Sequence, residues 1–392
     1  MDTNRNIISP INCCSNTIHK KSDGFSNQIT LKLNAYLRER SLSDPQWSKA
    51  ISSQYFLIET ANILNLTTIN SYQELEEEFF NTSCIFRKGV VQPSPQKILV
   101  VPDENEKLIE RMQEEENSGK YYKSRLRANK INTKEKKDRI FYNYYYGLMV
   151  GIINRFCTND DYLNNYSEIR SIAISELFNS EAIDEADGWI HFRLPWITAR
   201  ILISLSSYSE KTIIDLISSG AFSKSNITNI NEYRIFIKKS ADSLITRLHG
   251  KSLWESGAGD WVTCWESTGL CLEALYSLNL IDEYKSEITN VINYLFLEEN
   301  LNCWLVKPAF NNEKDSNQTL ASVILASVIY RLMNSNKIKN NNKIKELIEK
   351  LFENISTELQ KIDEEKVQQY CTIPQIIYYI IVAINGGENE KK

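Results

Sequence analysis

The feature that most limits how this chain can fold is an alternation, kept along its length, between two kinds of helical segment. The first kind is one-sided. In residues 284–295, Tyr284, Ile288, Val291, Ile292 and Leu295 share a stripe, with Lys285, Glu287 and Asn290 away from it. Residues 344–359 repeat the pattern with Ile344, Leu347, Ile348, Leu351, Phe352, Ile355 and Leu359. Similar stripes occur at 166–178 and 233–248, and less cleanly near 25–37 and 105–113. A single stripe means one buried face and one wet face, so these segments are expected as outer helices. The second kind is apolar nearly all round: YFLIETANILNL (55–66), IFYNYYYGLMVGII (140–153), WITARILISL (196–205), TGLCLEALYSL (268–278), TLASVILASVIYRL (319–332) and TIPQIIYYIIVAI (372–384). A helix without a polar face is buried on both sides, as on the inside of a ring.

The two kinds alternate six times. With 13 Gly, 8 Pro and almost no period-two alternation, strands are not expected, and a helical repeat is. Ser52, Asn143, Thr198, Thr268, Thr319 and Thr372 mark the inner-helix starts, and the gaps between them are 91, 55, 70, 51 and 53 residues. Two helices of ~15–20 residues plus two turns give a period near 50. The expected fold is therefore all-α: an α6/α6 toroid of six outer–inner hairpins, with an open solenoid as the competing architecture. Residues 1–24 read as a flexible tail, 25–386 as the toroid and 387–392 as a polar tail. The long first gap holds the acidic run ELEEEFF (74–80) and the charged stretch 103–137, read as a solvated insertion that centres on 87–137.

Composition removes several function classes. With 42% hydrophobic residues in 392, the chain can build a sizeable core. Its 45 basic and 50 acidic residues give a net charge of -5 with no basic stripe, which argues against nucleic acid as a partner. The N-terminus lacks an apolar core of signal-peptide length, and the longest apolar run, Ile376–Ile384, is half of a ~20-residue span. A cytoplasmic protein without a membrane span is expected, and a protein partner is compatible with it. Eight cysteines are scattered without CxxC spacing. Cys264, Cys271 and Cys371 sit in apolar helical runs, and Cys13 and Cys14 lie in the polar tail. No metal site, disulfide framework or cofactor is expected.

The turns that lead into inner helices resemble one another. Gly188-Trp189 precedes Pro195-Trp196-Ile197-Thr198; Gly259-Asp260-Trp261 precedes Trp265-Glu266-Ser267-Thr268; Cys303-Trp304 precedes Ser316-Asn317-Gln318-Thr319. Each reads as an aromatic plug followed by a Ser/Thr that can cap free amides, and all such turns fall at one end of the ring. At SNQTLASVILA (316–326) and GDWVTCWESTGLCLEAL (259–275) the chain resembles the squalene–hopene cyclase and protein-prenyltransferase β-subunit superfamily, whose repeats pair a Gly-x-Trp turn with a Ser-Gln-Thr-Ala helix opening. The resemblance covers roughly 185–385 well and 40–180 by helix pattern alone.

That resemblance implies a central cavity for an apolar, isoprenoid ligand, and chemistry that can be compared position by position. Class II cyclases of the family carry Asp-x-Asp-Asp-Thr at an inner-helix start, the middle Asp being the proton donor. Asp315-Ser316-Asn317-Gln318-Thr319 keeps the first Asp and the Thr, but Asn317 replaces the acid. In Cys264-Trp265-Glu266-Ser267-Thr268 the middle position is Glu266, an acid only if burial raises its pKa. Glu266 or Asp260 is thus the candidate catalytic acid, and a capping carboxylate is the plainer role. The zinc-binding pattern of the prenyltransferases fails, because Gln368-Gln369-Tyr370 stands where a His is needed before Cys371. Asp160-Asp161 lacks the distal carboxylate of a magnesium site and reads as surface loop.

Candidate ligand-lining residues are Trp189, His191, Trp196, Trp254, Trp261, Trp265, Tyr145, Asp315 and Asn317. The 20 Tyr, 14 Phe and 7 Trp offer ring faces that stabilise cations, or fill a wide core. Arg193, Arg200, Lys251 and Lys307 can hold a diphosphate or be surface charge. His249-Gly250 suits a helix end and His191 a turn. Three functions fit: a protonation-initiated cyclase, an inactive toroid serving as a binding or scaffold module, and a six-hairpin carbohydrate enzyme with paired carboxylates at the mouth.

Overall fold

The computed structural model describes residues 22–42, 51–87, 146–157, 160–179, 183–184, 188–189, 195–248, 252–254, 261–362 and 372–385. Within them the protein is all-helical apart from one two-residue antiparallel pair. In chain order the elements are α1 (Ser22–Arg40), α2 (Ile51–Ile63), α3 (Asn70–Arg87), α4 (146–156), α5 (Asp160–Leu177), β1 (Ile183–Asp184), β2 (Gly188–Trp189), α6 (Pro195–Leu205), α7 (Glu210–Ser218), α8 (Ile230–Leu248), α9 (Trp261–Ser277), α10 (Lys285–Leu295), α11 (Glu298–Trp304), α12 (Glu313–Asn334), α13 (Asn342–Leu359) and α14 (Thr372–Asn385).

Local chemistry fixes where these helices start and stop. Ser209, Asn312 and Asn341 each accept a first-turn amide, from Thr212, Asp315 and Ile344. At the other end, α2, α9 and α12 are closed by one device. Asn65, Asn279 and Asn336 stand in the left-handed region at φ 55°, 56° and 56°. The next residue's amide then reaches back to the carbonyl five positions earlier: Leu66 to Ala61, Leu280 to Leu275, Lys337 to Leu332. This is the Schellman closure, with Asn in the place glycine usually takes.

The two helix kinds differ in burial as expected. On α13 the buried residues form one stripe, Ile344, Ile348, Leu351, Phe352, Ile355 and Leu359. On α6 every residue except Trp196 is buried. The buried-all-round helices α2, α4, α6, α9, α12 and α14 pack on one another: α6 on α9, α9 on α12, α12 on α14 and α14 on α2. Helix α4 fits between α2 and α6 because Gly147 and Gly151 carry no side chain. A Cβ at Gly147 would stand 2.9 Å from Ile201, and one at Gly151 would stand 2.7 Å from Tyr55 and 3.0 Å from Ser204. Contacts advance in step along several neighbouring pairs: Gly147 with Ile201 and Gly151 with Ser204; Ser316 with Thr372 and Ser327 with Tyr379. Those neighbours therefore run parallel. One-sided helices lie against them, α3 on α2, α8 on α6, α11 on α12 and α13 on α12, while α1 joins α13 and α14.

Two expectations need correction. The acidic run 74–80 is no insertion: it lies in α3, where Leu75 and Phe79 are fully buried and the glutamates occupy the other faces. Phe79 meets Phe156 and Tyr166 at ring-centre distances of 5.6 and 6.0 Å, joining α3, α4 and α5. The 70-residue gap before Thr268 contains an additional helix, α7. The stripe at 105–113 and the charged stretch 103–137 lie outside the described residues.

Gly269 on α9 tests the inner packing, since a Cβ there would stand 2.8 Å from Ile324 Cγ2 and 3.0 Å from the Leu325 amide nitrogen of α12. Gly269→Ala is expected to cost roughly 1–3 kcal/mol in urea unfolding by overpacking that contact. Gly24→Ala on α1, where the added methyl meets nothing within 4 Å, should be neutral or slightly stabilising.

Candidate functional site

The inner helices bring polar and aromatic side chains together at mid-depth. Arg200 on α6 is 2% exposed, and its guanidinium lies 5.0 Å from the Phe56 ring centre and 5.7 Å from that of Tyr379. Phe56 is on α2 and Tyr379 on α14, so Arg200 reaches past its own packing partners to the far helices of the circuit. Tyr55, Phe56, Tyr378 and Tyr379 form a continuous ring cluster, with centres 5.1 to 6.2 Å apart. Burial pushes the Tyr379 phenol up; Arg200 acts against that shift and Glu266 with it. Glu266, on α9, is half-buried. The reading of Arg200 as surface charge is thus overturned, while Lys307 is exposed.

Two ion pairs flank this centre. Arg155 on α4 makes a bidentate contact with Glu59 on α2, at 2.8 and 2.7 Å, and that hydrogen bonding holds the guanidinium charged. Arg331 on α12 pairs with Glu273 on α9, both nearly buried, and lies over the Tyr276 ring at 5.0 Å. Tyr378 sits between them: burial, Tyr55 and Glu59 push its phenol well up, while Arg331 pulls it down. Each carboxylate is met by a guanidinium, so neither is a free acid or base.

The repeated turns are hydrogen-bonded differently from the expectation. The plug before α9 is Trp254, fully buried, whose indole N–H donates to the Leu244 carbonyl of α8 at 2.8 Å. Trp304 does the same to Leu295 of α10 at 3.0 Å. Thr268 does not cap its own helix; its hydroxyl accepts the Trp254 amide at 3.1 Å. Thr319 accepts the Ala309 amide at 3.2 Å. The tryptophan thus ties the turn to the outer helix and the threonine ties it to the inner one. Asp315 is engaged by the Asn311 and Asn312 amides at 3.2 and 3.1 Å.

Of the remaining candidates, Trp265 is 4% exposed within α9, and Trp196 and Asn317 are half-buried. Trp189 forms β2 beside α8, and Trp261 opens α9. Asp260, His191 and Tyr145 lie outside the described residues. Sequence reasoning raised Arg200 only as a mouth charge and missed Tyr379, Phe56, Glu59 and Glu273. Their signal was a charge inside an otherwise apolar run. Burial pushes the Cys271 thiol well up, in keeping with a small hydrophobe. Among the described residues no group of three His, Cys, Asp or Glu could hold a metal ion, and no helix is long and apolar enough to cross a membrane. An open groove of about 260 Å³ lies between α5 and the turn after α7, with the Glu176–Lys224 ion pair across it.

No protein-family model, curated protein or solved structure matches this chain.

Two outcomes follow from the buried groups. Arg331→Met leaves Glu273 buried without its cation and should cost about 3–5 kcal/mol in chemical unfolding, whereas the Arg331→Met, Glu273→Leu pair should recover most of that loss. Burial raises the phenols of Tyr55, Tyr208, Tyr233, Tyr378 and Tyr379 above the value of the unfolded chain. Above about pH 10 the unfolded chain then binds fewer protons than the folded one, so stability is full below that pH and falls above it. An ultraviolet titration should show phenols that ionise only together with loss of helical circular dichroism.

Proposed function

We propose that the chain is an α6/α6 toroid resembling the terpenoid cyclases that serves as a binding or scaffold module and performs no cyclisation. The ring closure is supported by the circuit of neighbours, α2–α4–α6–α9–α12–α14 and back to α2. The loss of chemistry rests on one observation, the Arg200 guanidinium buried at the centre against Phe56 and Tyr379.

A carbocation intermediate needs ring faces that are free to stabilise it. Here the central faces already hold a cation. At ~6 Å and an effective dielectric of about 20, a second positive charge would be destabilised by roughly 3 kcal/mol, more than a hundredfold in rate. Initiation suffers as well. Asn317, at the family's acid position, has no proton of the required acidity.

The test is incubation of the purified chain with squalene, farnesyl diphosphate and geranylgeranyl diphosphate, followed by mass spectrometry of the organic extract. No cyclised product is expected from the chain or from Glu266→Gln. A cyclised product that disappears in Glu266→Gln would overturn the proposal.

A further inference from the structure

We infer that the groove between α5 and the turn that follows α7 binds a guanidinium group. The site uses none of the inner-helix residues, so it stands apart from the non-cyclase reading of the ring interior.

Along α5, Glu168, Ser171, Ile172, Ser175 and Glu176 recur at helical spacing, which places them on one face. That face is one wall of the open groove of about 260 Å³. The other wall is Ser219, Gly220 and Ala221, with Lys224 beyond them. This turn is held in place by its own bonds. The amides of Gly220 and Ala221 donate to the Ile217 and Leu216 carbonyls, each at 3.0 Å, and Gly220 stands at φ 81°. Phe222 then packs on Phe178, just past α5, with ring centres 4.8 Å apart, and Lys224 pairs with Glu176. The groove is therefore formed before any ligand arrives. A Cβ at Gly220 would meet nothing within 4 Å, so that wall leaves room for an incoming group.

The direction of the hydrogen bonds sets the ligand's chemistry. Ser171 donates its hydroxyl proton to the Ser167 carbonyl and Ser219 donates its own to the Leu216 carbonyl, both at 3.0 Å. A hydroxyl has one proton and two lone pairs, so each oxygen is left as an acceptor in the lining. The carboxylates of Glu168 and Glu176 add further acceptors. A carboxylate has about four lone-pair sites, so contacts within the chain do not exhaust it. Two carboxylates against one ammonium leave the lining negative. An anion is opposed by that charge and finds the amides of Ser219, Gly220 and Ala221 already bonded. A guanidinium brings five N–H donors in a flat fork and is more weakly hydrated than an ammonium, so it is favoured over a lysine-like group. Ile172 and Ala221 supply apolar contact for its plane. At Glu176 it competes with Lys224. The Glu176 side chain is 7% exposed and that of Lys224 48%, so the lysine is the partner that gives way.

The experiment follows the amide NMR signals of Ser219–Lys224 in the full chain during titration with methylguanidine and with acetyl-Gly-Arg-Gly-amide. Methylammonium and acetyl-Gly-Lys-Gly-amide are the comparison probes. Saturable shifts are expected with at least one guanidinium probe, at a dissociation constant about fivefold or more below that of the matching ammonium. Equal affinity for the two guanidinium probes would identify a free small molecule as the source, and a tighter peptide would identify an arginine side chain of a partner. Glu168→Gln, at an exposed position, should weaken binding about tenfold. Lys224→Met should tighten it by removing the competing cation. Lys350→Met on α13 changes the net charge equally and should leave binding as it is. If Lys224→Met loosens the turn, the exposed Glu168→Gln still decides the matter. No saturable shift with either guanidinium probe, ammonium probes that bind as tightly, or affinity that Glu168→Gln does not weaken would each overturn the inference.

Discussion

The interaction on which the interior depends is the reach of Arg200 across the helical circuit. Burying a guanidinium costs several kcal/mol, and that cost is offset only where ring faces and opposing charge are fixed around it. Here the faces come from Phe56 on α2 and Tyr379 on α14. Three helices must therefore be correctly placed before the charge is tolerated. Apolar helices packed on all sides have many sliding arrangements of similar energy. A charge that is stable in only one of them removes that degeneracy. The same logic applies at single contacts: Arg155–Glu59 locks α4 to α2, and Arg331–Glu273 locks α12 to α9.

Much of the helical organisation was legible because burial and period are written in side-chain polarity. The stripe Ile344, Ile348, Leu351, Phe352 and Ile355 marks a one-sided helix in the sequence and in the structure alike. The acidic run 74–80 misled because four glutamates outweigh Leu75 and Phe79 in composition, although those two alone decide which face is buried. Helix α7 escaped because its nine residues bury just Ile213 and Leu216, too few for a period to show. The Asn closures after α2, α9 and α12 went unread because Asn at a positive φ depends on backbone geometry, and a sequence shows only the residue type.

The site was legible in type but not in place. Trp and Thr at the turns were seen as a repeated unit, yet their partners were not. Trp254 precedes α9 and Trp261 opens it, and only three-dimensional packing decides that Trp254 sends its indole to Leu244. Likewise, Arg200 lies in the run WITARILISL, where an arginine can equally snorkel outward or turn inward. The neighbours that draw it inward, Phe56 and Tyr379, lie 144 and 179 residues away in sequence.

A floor at mid-depth divides the interior into two sides of different chemistry. On the side of the inner-helix C-termini, Glu59 and Glu273 are each spent on a guanidinium, and Tyr276 and Tyr378 pack beside those pairs. Charge there is balanced within the protein, which suits holding those helices together. On the N-terminal side, Trp196, Glu266, Asn317 and Gln375 are half-buried. Polar side chains on inward faces cost stability wherever they displace apolar packing.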